Sequence, residues 1–298
     1  MFRNLRLYRV HGDWPESEEA LSGRLLEVPF KPCGAYTERS AGFEAPVAGN
    51  PENLARRVAG ADLFRLRAQT RLLPNAAVNE ALEDRVEAFV SRSGREPGRR
   101  EKRDLKDEVI AELMPRALLK SDRIWGLYLR SEGLLGIDTS SETYAERFLD
   151  KLRSAFGSLE VMPLGFKESV GRLMNPVFLG KGPSSFVVGR ECRMKDPSVG
   201  TTSVSWMDVD LGDPSVQKHV RDGFKLDRLG MTFDEVVSFV LDETPMLRKI
   251  KFVGMAATEE GIELDEDPIA RLDAEFVLLT GMLQRLMQAM KKQLGGYA

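Results

Sequence analysis

The residues with the clearest chemical potential lie in one basic segment, Arg92–Arg103. It holds six Lys or Arg and two Glu, a local charge of +4, in a chain whose net charge is −3. Arginines outnumber lysines five to one there. Because arginine binds phosphate oxygens through paired N–H donors, the segment favours contact with the phosphates of a nucleic acid. The alternative is a solvated loop that binds nothing, since Gly94, Pro97 and Gly98 predict an exposed connection under either interpretation.

Two predicted helices flank this basic segment. Apolar residues at helical spacing predict a first helix over 75–90 with Asn75 as its N-cap. A second apolar stripe runs from Leu105 to Met114, and a backward extension would place Arg99, Lys102 and Arg103 over it. We therefore expect the second helix to begin after Asp104 as N-cap. The basic segment would then occupy the turn before a helix N-terminus, where free N–H groups favour anions.

The rest of the chain alternates predicted strands and helices. Strands are predicted over 5–10, 62–71, 124–129, 134–137, 204–209, 233–241 and 247–253. Helices are predicted over 16–26, 141–156, 214–221 and 265–293. The fold class is therefore α+β, with mixed strands and helices in a multi-domain, elongated chain and a protruding two-helix insert. The expected division is a central α+β domain (1–74 and 124–165), a helical tip insert (75–123), and a second α+β domain ending in a long helix (166–298).

Residues suited to catalysis are sparse. Asp208 and Asp210 share one face of the predicted strand 204–209, as metal ligands of a nuclease sometimes do. No third carboxylate or histidine follows at a convincing spacing, and the chain's two histidines, His11 and His219, cannot form a His-rich site. Phosphate-loop, nucleophile-elbow, zinc-protease and dinucleotide-binding motifs are missing from the sequence. We therefore expect no enzyme activity, no cofactor and no catalytic metal.

Composition points to a protein of the reducing cytoplasm. Cys33 and Cys192 are the only cysteines, which excludes a disulfide framework. The N-terminus has no apolar signal region, and no run of 18 apolar residues predicts a membrane span. Residues 259–267 carry six acids and no base. They are interpreted as a solvated loop, or as a face that repels DNA or pairs with a basic patch of another subunit.

Several segments, read together, resemble the bacterial recombination-associated RdgC family. They occur in family order from one end of the chain to the other. The matching stretches are Arg3–Val10, Phe30–Gly34, Asp104–Val109, Met114–Ala117, Gly157–Leu164, Leu247–Phe252 and Arg271–Gly281. The chain departs from the family pattern at Phe233, where the family has Trp, and at Leu118 and Leu119, where an aromatic residue is common.

This resemblance implies a non-enzymatic, nucleoid-associated protein that binds DNA without sequence specificity. It implies a ring-shaped, head-to-tail homodimer with a positively charged hole, which encloses DNA (duplex, or single strands) and limits the access of the RecA recombinase. The two-helix insert resembles the family's tip region, which meets the partner subunit. The expected phosphate-binding residues are Arg92, Arg95, Arg99, Arg100, Lys102 and Arg103, followed by Arg116, Lys120 and Arg123. Two alternatives stay open: the basic insert docks a protein partner, or Asp208 and Asp210 serve a metal-dependent nuclease.

Overall fold

The fold is α+β, as the sequence predicts, in a computed structural model that describes residues 2–47, 51–199, 202–253 and 267–298. The helices in these ranges are α1 (Glu18–Leu25), α2 (Asn75–Ser93), α3 (Arg99–Leu113), α4 (Glu142–Phe156), α5 (Gly171–Phe178), α6 (Pro214–Arg221) and α7 (Pro268–Leu294). The strands are β1 (Leu5–His11), β2 (Arg39–Glu44), β3 (Ala55–Val58), β4 (Ala61–Leu72), β5 (Leu118–Leu129), β6 (Leu134–Ile137), β7 (Glu160–Pro163), β8 (Phe186–Lys195), β9 (Ser203–Met207), β10 (Lys225–Phe233), β11 (Val237–Asp242) and β12 (Met246–Phe252).

All of these strands belong to one antiparallel sheet in the order β2-β4-β5-β6-β1-β12-β11-β10-β8-β9, with β3 added to β4 and β7 added to β1. The first strand, β1, lies at the centre of this order. It pairs with β6 along one edge, and the other edge is shared by β12 at Leu5 and Arg6 and by β7 from Tyr8 to His11. The N-terminal strand therefore joins the two halves of the sheet.

Side-chain alternation along the central strands produces two cores on opposite faces of the sheet. Leu5 and Leu7 of β1 enter the first core, which α5 and α7 cover. Tyr8 of the same strand enters the second core, which α1 and α4 cover. The central strands are thus buried on both faces, which explains their high apolar content.

The longest pair of strands, β4 and β5, forms a hairpin whose connection carries α2 and α3. The two strands remain in register over their whole length, from Ala61 opposite Leu129 to Leu72 opposite Leu118. The predicted insert 75–123 thus consists of helices, a 3₁₀ turn (Met114–Arg116) and the first residues of β5. Nowhere in the described ranges is a helix both long and apolar enough to cross a lipid bilayer.

Most predicted elements are confirmed with shifted ends. The helix predicted over 141–156 is α4, with Ser141 as N-cap and Gly157 as C-cap. Asn75 is wrong as an N-cap, because Pro74 occupies that position and Asn75 is the first helical residue. The segment from 163 to 200, for which no element is predicted, contains α5 and β8, and Pro176 lies inside α5.

Candidate nucleic-acid interface

The basic segment spans the end of α2 and the beginning of α3. The helix α2 ends at Ser93, and its C-cap, Gly94, has a left-handed conformation (φ 70°) and donates its N–H to the carbonyl of Val90. The helix α3 begins at Arg99 with extended Gly98 as N-cap, so the prediction of Asp104 as N-cap is wrong. Most of the basic residues therefore lie on the first turns of a helix and not in a turn before it.

The physical reason for this error is the small area that α3 buries. Of its residues only Val109 is buried, and the apolar Leu105, Ile110 and Leu113 are half-buried. Arg99, on the same stripe, therefore stays in solvent at no desolvation cost. The spacing of the apolar residues identified which face of α3 points inward. It did not show how many turns of that face are covered by other parts of the protein.

An ion pair holds the connection between α2 and α3. The Glu101 carboxylate accepts hydrogen bonds from Arg95 Nη1 and Nη2 at 2.8 and 2.6 Å, and from the Gly98 N–H at 2.8 Å. The Arg95 bonds, followed by the Gly98 bond, lower the pKa of Glu101 to about 2. The Arg95 guanidinium also lies 5.4 Å from the Phe89 ring centre. Arg95 therefore has a structural role, and its charge is neutralised within the turn.

Among the described residues, the other five cations of the basic segment have no carboxylate partner. Arg92 donates only to the Ala88 carbonyl, at 3.2 Å. Within the described part of the chain, six of the nine predicted phosphate-binding residues are exposed and form no ion pair: Arg92, Arg99, Arg100, Lys102, Arg103 and Arg116. These six charges are available to an external anion without the loss of an internal ion pair.

An open groove of about 730 Å³ separates α2 from α3. Its floor is apolar, with Leu82 buried and Val86 half-buried. Its two walls have opposite charge, because α2 supplies acids and α3 supplies bases. Glu83 and Glu87 of α2 face the basic side chains of α3, which are Arg99, Lys102, Arg103 and Lys106. The exposed ion pair between Arg85 and Glu112 also links the two helices.

Arg116 lies in the 3₁₀ turn that leads from α3 to β5. The turn is fixed by buried Arg71, whose Nη1 donates to the carbonyls of Met114, Pro115 and Ala117 at 3.1 to 3.3 Å. The same guanidinium donates to the Gly34 carbonyl through Nε and Nη2. Arg71 is thus fully used by the backbone, whereas the Arg116 side chain is exposed.

Lys120 and Arg123, predicted as one extension of the basic surface, lie on opposite faces of β5. Their positions differ by three, an odd number, and successive strand residues alternate between faces. Lys120 pairs with Asp122 at 3.2 Å on the face of the second core. Arg123 lies on the other face, where its Nε donates to Glu44 Oε1 at 2.8 Å. The structure therefore separates these two residues.

Two arginines that the sequence prediction did not include lie beside Arg123. Arg67 is directly opposite Arg123 in the sheet, and Arg65 lies two pairs further along, opposite Trp125. We call Arg65, Arg67 and Arg123 the arginine cluster. Its sequence signal was the alternation of charged residues with the apolar Phe64 and Leu66, but the pairing of β4 with residue 123 was not predicted.

The carboxylates considered for a nuclease lie outside regular strand structure. The strand β9 ends at Met207, so the shared strand face predicted for Asp208 and Asp210 is wrong. Asp208 has a left-handed backbone (φ 57°) and pairs with Arg190 at 2.8 Å, and Asp210 accepts the Gly212 N–H at 2.8 Å. No group of three or more potential metal-ligating side chains exists among the residues the structure describes.

The two cysteines, His219 and Asp267 take no part in the candidate interface. Cys33 and Cys192 are both free and buried, and burial raises the pKa of the Cys192 thiol to about 12. His219 contacts the Trp206 and Phe224 rings edge-on. Of the acidic segment 259–267, residues 259–266 lie outside the described residues, and Asp267 caps α7 through the Ile269 N–H.

Comparisons with known proteins cover nearly the whole chain. A family model described as "Putative exonuclease, RdgC" matches residues 1–297. The recombination-associated protein RdgC of Halorhodospira halophila (strain DSM 244 / SL1) is 32% identical over 296 residues, which are 99% of this chain and 98% of the relative. That of Shewanella baltica (strain OS223) is 31% identical over 99% and 97%. That of Pseudoalteromonas atlantica (strain T6c / ATCC BAA-1087) is 29% identical over 95% and 94%.

Proposed function

The chain belongs to the RdgC family, and on that premise we propose that it is a non-enzymatic protein that binds DNA without sequence specificity. Its role is associated with recombination, as the names of its relatives indicate. The observation that carries the DNA-binding proposal is that six predicted phosphate-binding cations on α2, α3 and the following turn are exposed and have no carboxylate partner among the described residues. Exposed cations of this kind bind phosphates regardless of base sequence, because phosphate contacts carry no sequence information.

The assembly that we propose is a ring-shaped homodimer around DNA, which is nucleoid-associated in the cytoplasm and modulates RecA-dependent recombination. Exposed apolar side chains on both faces of the hairpin end beside α2 and α3 support a subunit contact there. Leu72 and Leu118 face each other at the last pair of β4 and β5, and Leu118 and Leu119 are 75% and 46% exposed. Exposed apolar side chains at the end of an extended hairpin are a common mark of an interface.

A salt titration of DNA binding, together with the mass of the protein in solution, tests both parts of the proposal. The probes are two unrelated duplex sequences, each as a closed circle and as a linear fragment. We expect a dimer whose affinity is the same for both sequences and falls log-linearly with salt. A ring should also stay on closed circles at salt concentrations that release it from linear fragments. A monomer that does not bind DNA at low salt would refute the proposal.

The recombination role requires a separate measurement with RecA. The protein should reduce RecA filament assembly on DNA at concentrations that saturate the DNA, and it should lose this effect in parallel with DNA binding. Inhibition by a variant that no longer binds DNA would show instead that the protein acts on RecA directly.

A second candidate function is protein docking, which the groove between α2 and α3 favours. Its apolar floor and oppositely charged walls suit an amphipathic helix of a partner. Reversal of the acidic wall by Glu83→Lys and Glu87→Lys distinguishes the two functions. DNA binding predicts an unchanged or higher affinity for DNA, because the change adds positive charge. Protein docking predicts loss of the partner with no gain in DNA affinity.

Nuclease activity, which the description of the family model names, is tested by incubation of end-labelled DNA with Mg²⁺ or Mn²⁺. Our proposal predicts intact DNA at protein concentrations that saturate it. Metal-dependent cleavage that Asp208→Ala abolishes would establish an enzyme and overturn the non-enzymatic part of the proposal.

A further inference from the structure

We propose that the arginine cluster, Arg65, Arg67 and Arg123, is a phosphate-binding site separate from the cations of α3. The inference rests on the proposed function, for which it names a second contact with the phosphates of the DNA backbone. The site would lie on the β4–β5 hairpin, on the face of the sheet that carries the first core.

Sheet geometry brings the three guanidinium groups together on one face. Residues directly opposite each other in an antiparallel pair point to the same side, and Arg67 is directly opposite Arg123. Arg65 is two residues from Arg67 on the same strand and so shares this face. Like charges in directly opposed positions destabilise a sheet, so this arrangement has a cost in the free protein.

A single carboxylate, Glu44 on β2, serves all three arginines. Its Oε1 is 2.9 Å from Arg65 Nε and 2.8 Å from Arg123 Nε, and its Oε2 is 3.6 Å from Arg67 Nη1. The cluster therefore keeps a net charge of +2. Elsewhere in the described ranges, the buried acids Asp62, Asp227 and Asp242 have two basic partners each.

Aromatic rings and hydrogen bonds hold two of the arginines in place. The Arg65 guanidinium lies 4.9 Å from the Trp125 ring centre, and its Nη2 donates to the Ala45 carbonyl at 2.7 Å. The Arg67 guanidinium lies 4.4 Å from the Phe30 ring centre, and its Nε and Nη2 donate to Ser121 Oγ. A group that is already fixed loses little conformational entropy when it binds an anion.

Several N–H donors of the cluster have no acceptor in the described part of the protein. They are Nη1 of Arg65 and both terminal nitrogens of Arg123, and the buried Nε of Arg65 makes no well-directed hydrogen bond although Glu44 is close. Burial, together with the charges of Arg123 and Arg67, lowers the pKa of Arg65 against the opposing effect of Glu44. A phosphate would satisfy these donors and relieve the repulsion.

The test compares Arg67→Gln and Arg123→Gln with the control Arg153→Gln. Arg153 is a 39% exposed arginine of α4 that also pairs with two acids, Glu146 and Asp150, and lies outside the cluster. For duplex DNA, we expect each cluster variant to lower the slope of log affinity against log salt by about 0.9 and the affinity at 0.1 M salt about eightfold. Arg153→Gln should match the wild type. Cluster variants that match Arg153→Gln would overturn the proposal.

Removal of the shared carboxylate gives an opposite and more specific signature. Glu44→Gln should lower the melting temperature, because three like charges lose their counter-ion, and should raise the affinity for DNA and for inorganic pyrophosphate. A purely structural cluster predicts the lower melting temperature without tighter binding, which would count against the site. If Glu44→Gln does not fold, as circular dichroism would show, the two arginine variants decide the question.

Inorganic pyrophosphate separates failure of the site from failure of the proposed function. We expect pyrophosphate to raise the melting temperature of the wild type and of Arg153→Gln, but not of Arg67→Gln or Arg123→Gln. If this holds while the wild type binds no DNA, the phosphate site stands and the DNA-binding function falls. If DNA binds normally and the cluster variants behave as the control with both probes, the site falls and the function stands.

Discussion

Simultaneous replacement of Arg99, Arg100 and Arg103 by glutamine should remove three of the six predicted phosphate-binding cations that have no ion pair within the described residues. All three side chains are exposed on the first turns of α3 and have no ion pair within the described residues. Because glutamine has nearly the same helix propensity as arginine, the helix itself should be unaffected. A change in DNA affinity would then report the lost charges and not a lost fold.

The magnitude follows from counterion release. If each of the six unpaired cations neutralises one phosphate, they contribute a slope of about −5 to log affinity against log salt, and the three replaced arginines account for about 2.7 of it. At 0.1 M salt that share corresponds to about a 500-fold loss of affinity. The change in slope does not depend on how many contacts other parts of the protein make.

A matched control keeps the change in net charge the same. Arg147, Lys151 and Arg153 lie on α4, which packs against the second core, and their replacement by glutamine also removes three positive charges. Fluorescence anisotropy with two unrelated duplexes between 50 and 200 mM salt measures both slopes. Equal slopes for the two triple variants would refute our assignment of α3 as a DNA-binding surface and would leave only a general effect of net charge.

Three further predictions concern stability and reactivity. Gly126→Ala should destabilise the protein by about 1–3 kcal/mol in chemical denaturation, because a Cβ there would lie 2.5 Å from Cζ of buried Phe148; an unchanged midpoint would contradict the packing described. At pH 8, Cys33 and Cys192 of the native protein should not react with a thiol reagent, because both are buried and burial raises the pKa of Cys192 to about 12. Both cysteines should react after unfolding. Labelling of the native protein would contradict their burial. The pKa of Glu101 is about 2, below its ordinary 4.5, so the ionised carboxylate stabilises the protein fully above about pH 4.5 and loses this effect as the pH falls toward 2. The difference in melting temperature between the wild type and Glu101→Gln should therefore narrow over that range. A difference that stays constant would contradict the stabilising role of the Glu101 carboxylate.

Local signals in the sequence were sufficient for many elements. The residues of α4 repeat at helical steps between a serine N-cap and a glycine C-cap, and Leu5–Val10 alternates as a strand does. Both elements are confirmed because their signals lie within the element itself. The helix α5 was not predicted, because Pro176 lies inside it and its eight residues are too few to show a clear helical periodicity.

The candidate site depended on information that no local pattern contains. The sequence identified the basic residues of α3, but not that its N-terminal turns extend into solvent, and the predicted N-cap, Asp104, therefore lies six residues after the observed one, Gly98. It also could not show which cations are neutralised. Arg123 pairs with Glu44, 79 residues away, and Arg67 becomes its neighbour only through the register of β4 and β5. Pairings over such separations are a property of the assembled sheet.

The central position of β1 has a consequence for how the protein folds during synthesis. Its partners β6 and β7 emerge from the ribosome long before β12, which completes the pairing at Leu5 and Arg6 through Leu247 and Met246. At about 5–20 residues per second, translation of the roughly 80 residues between β7 and β12 takes on the order of ten seconds. For that period the nascent N-terminal half exposes an unpaired strand edge, which is open to chaperones and to misassociation. Closure of the sheet is therefore a late event, and a chain interrupted before β12 would remain permanently open at its first strand.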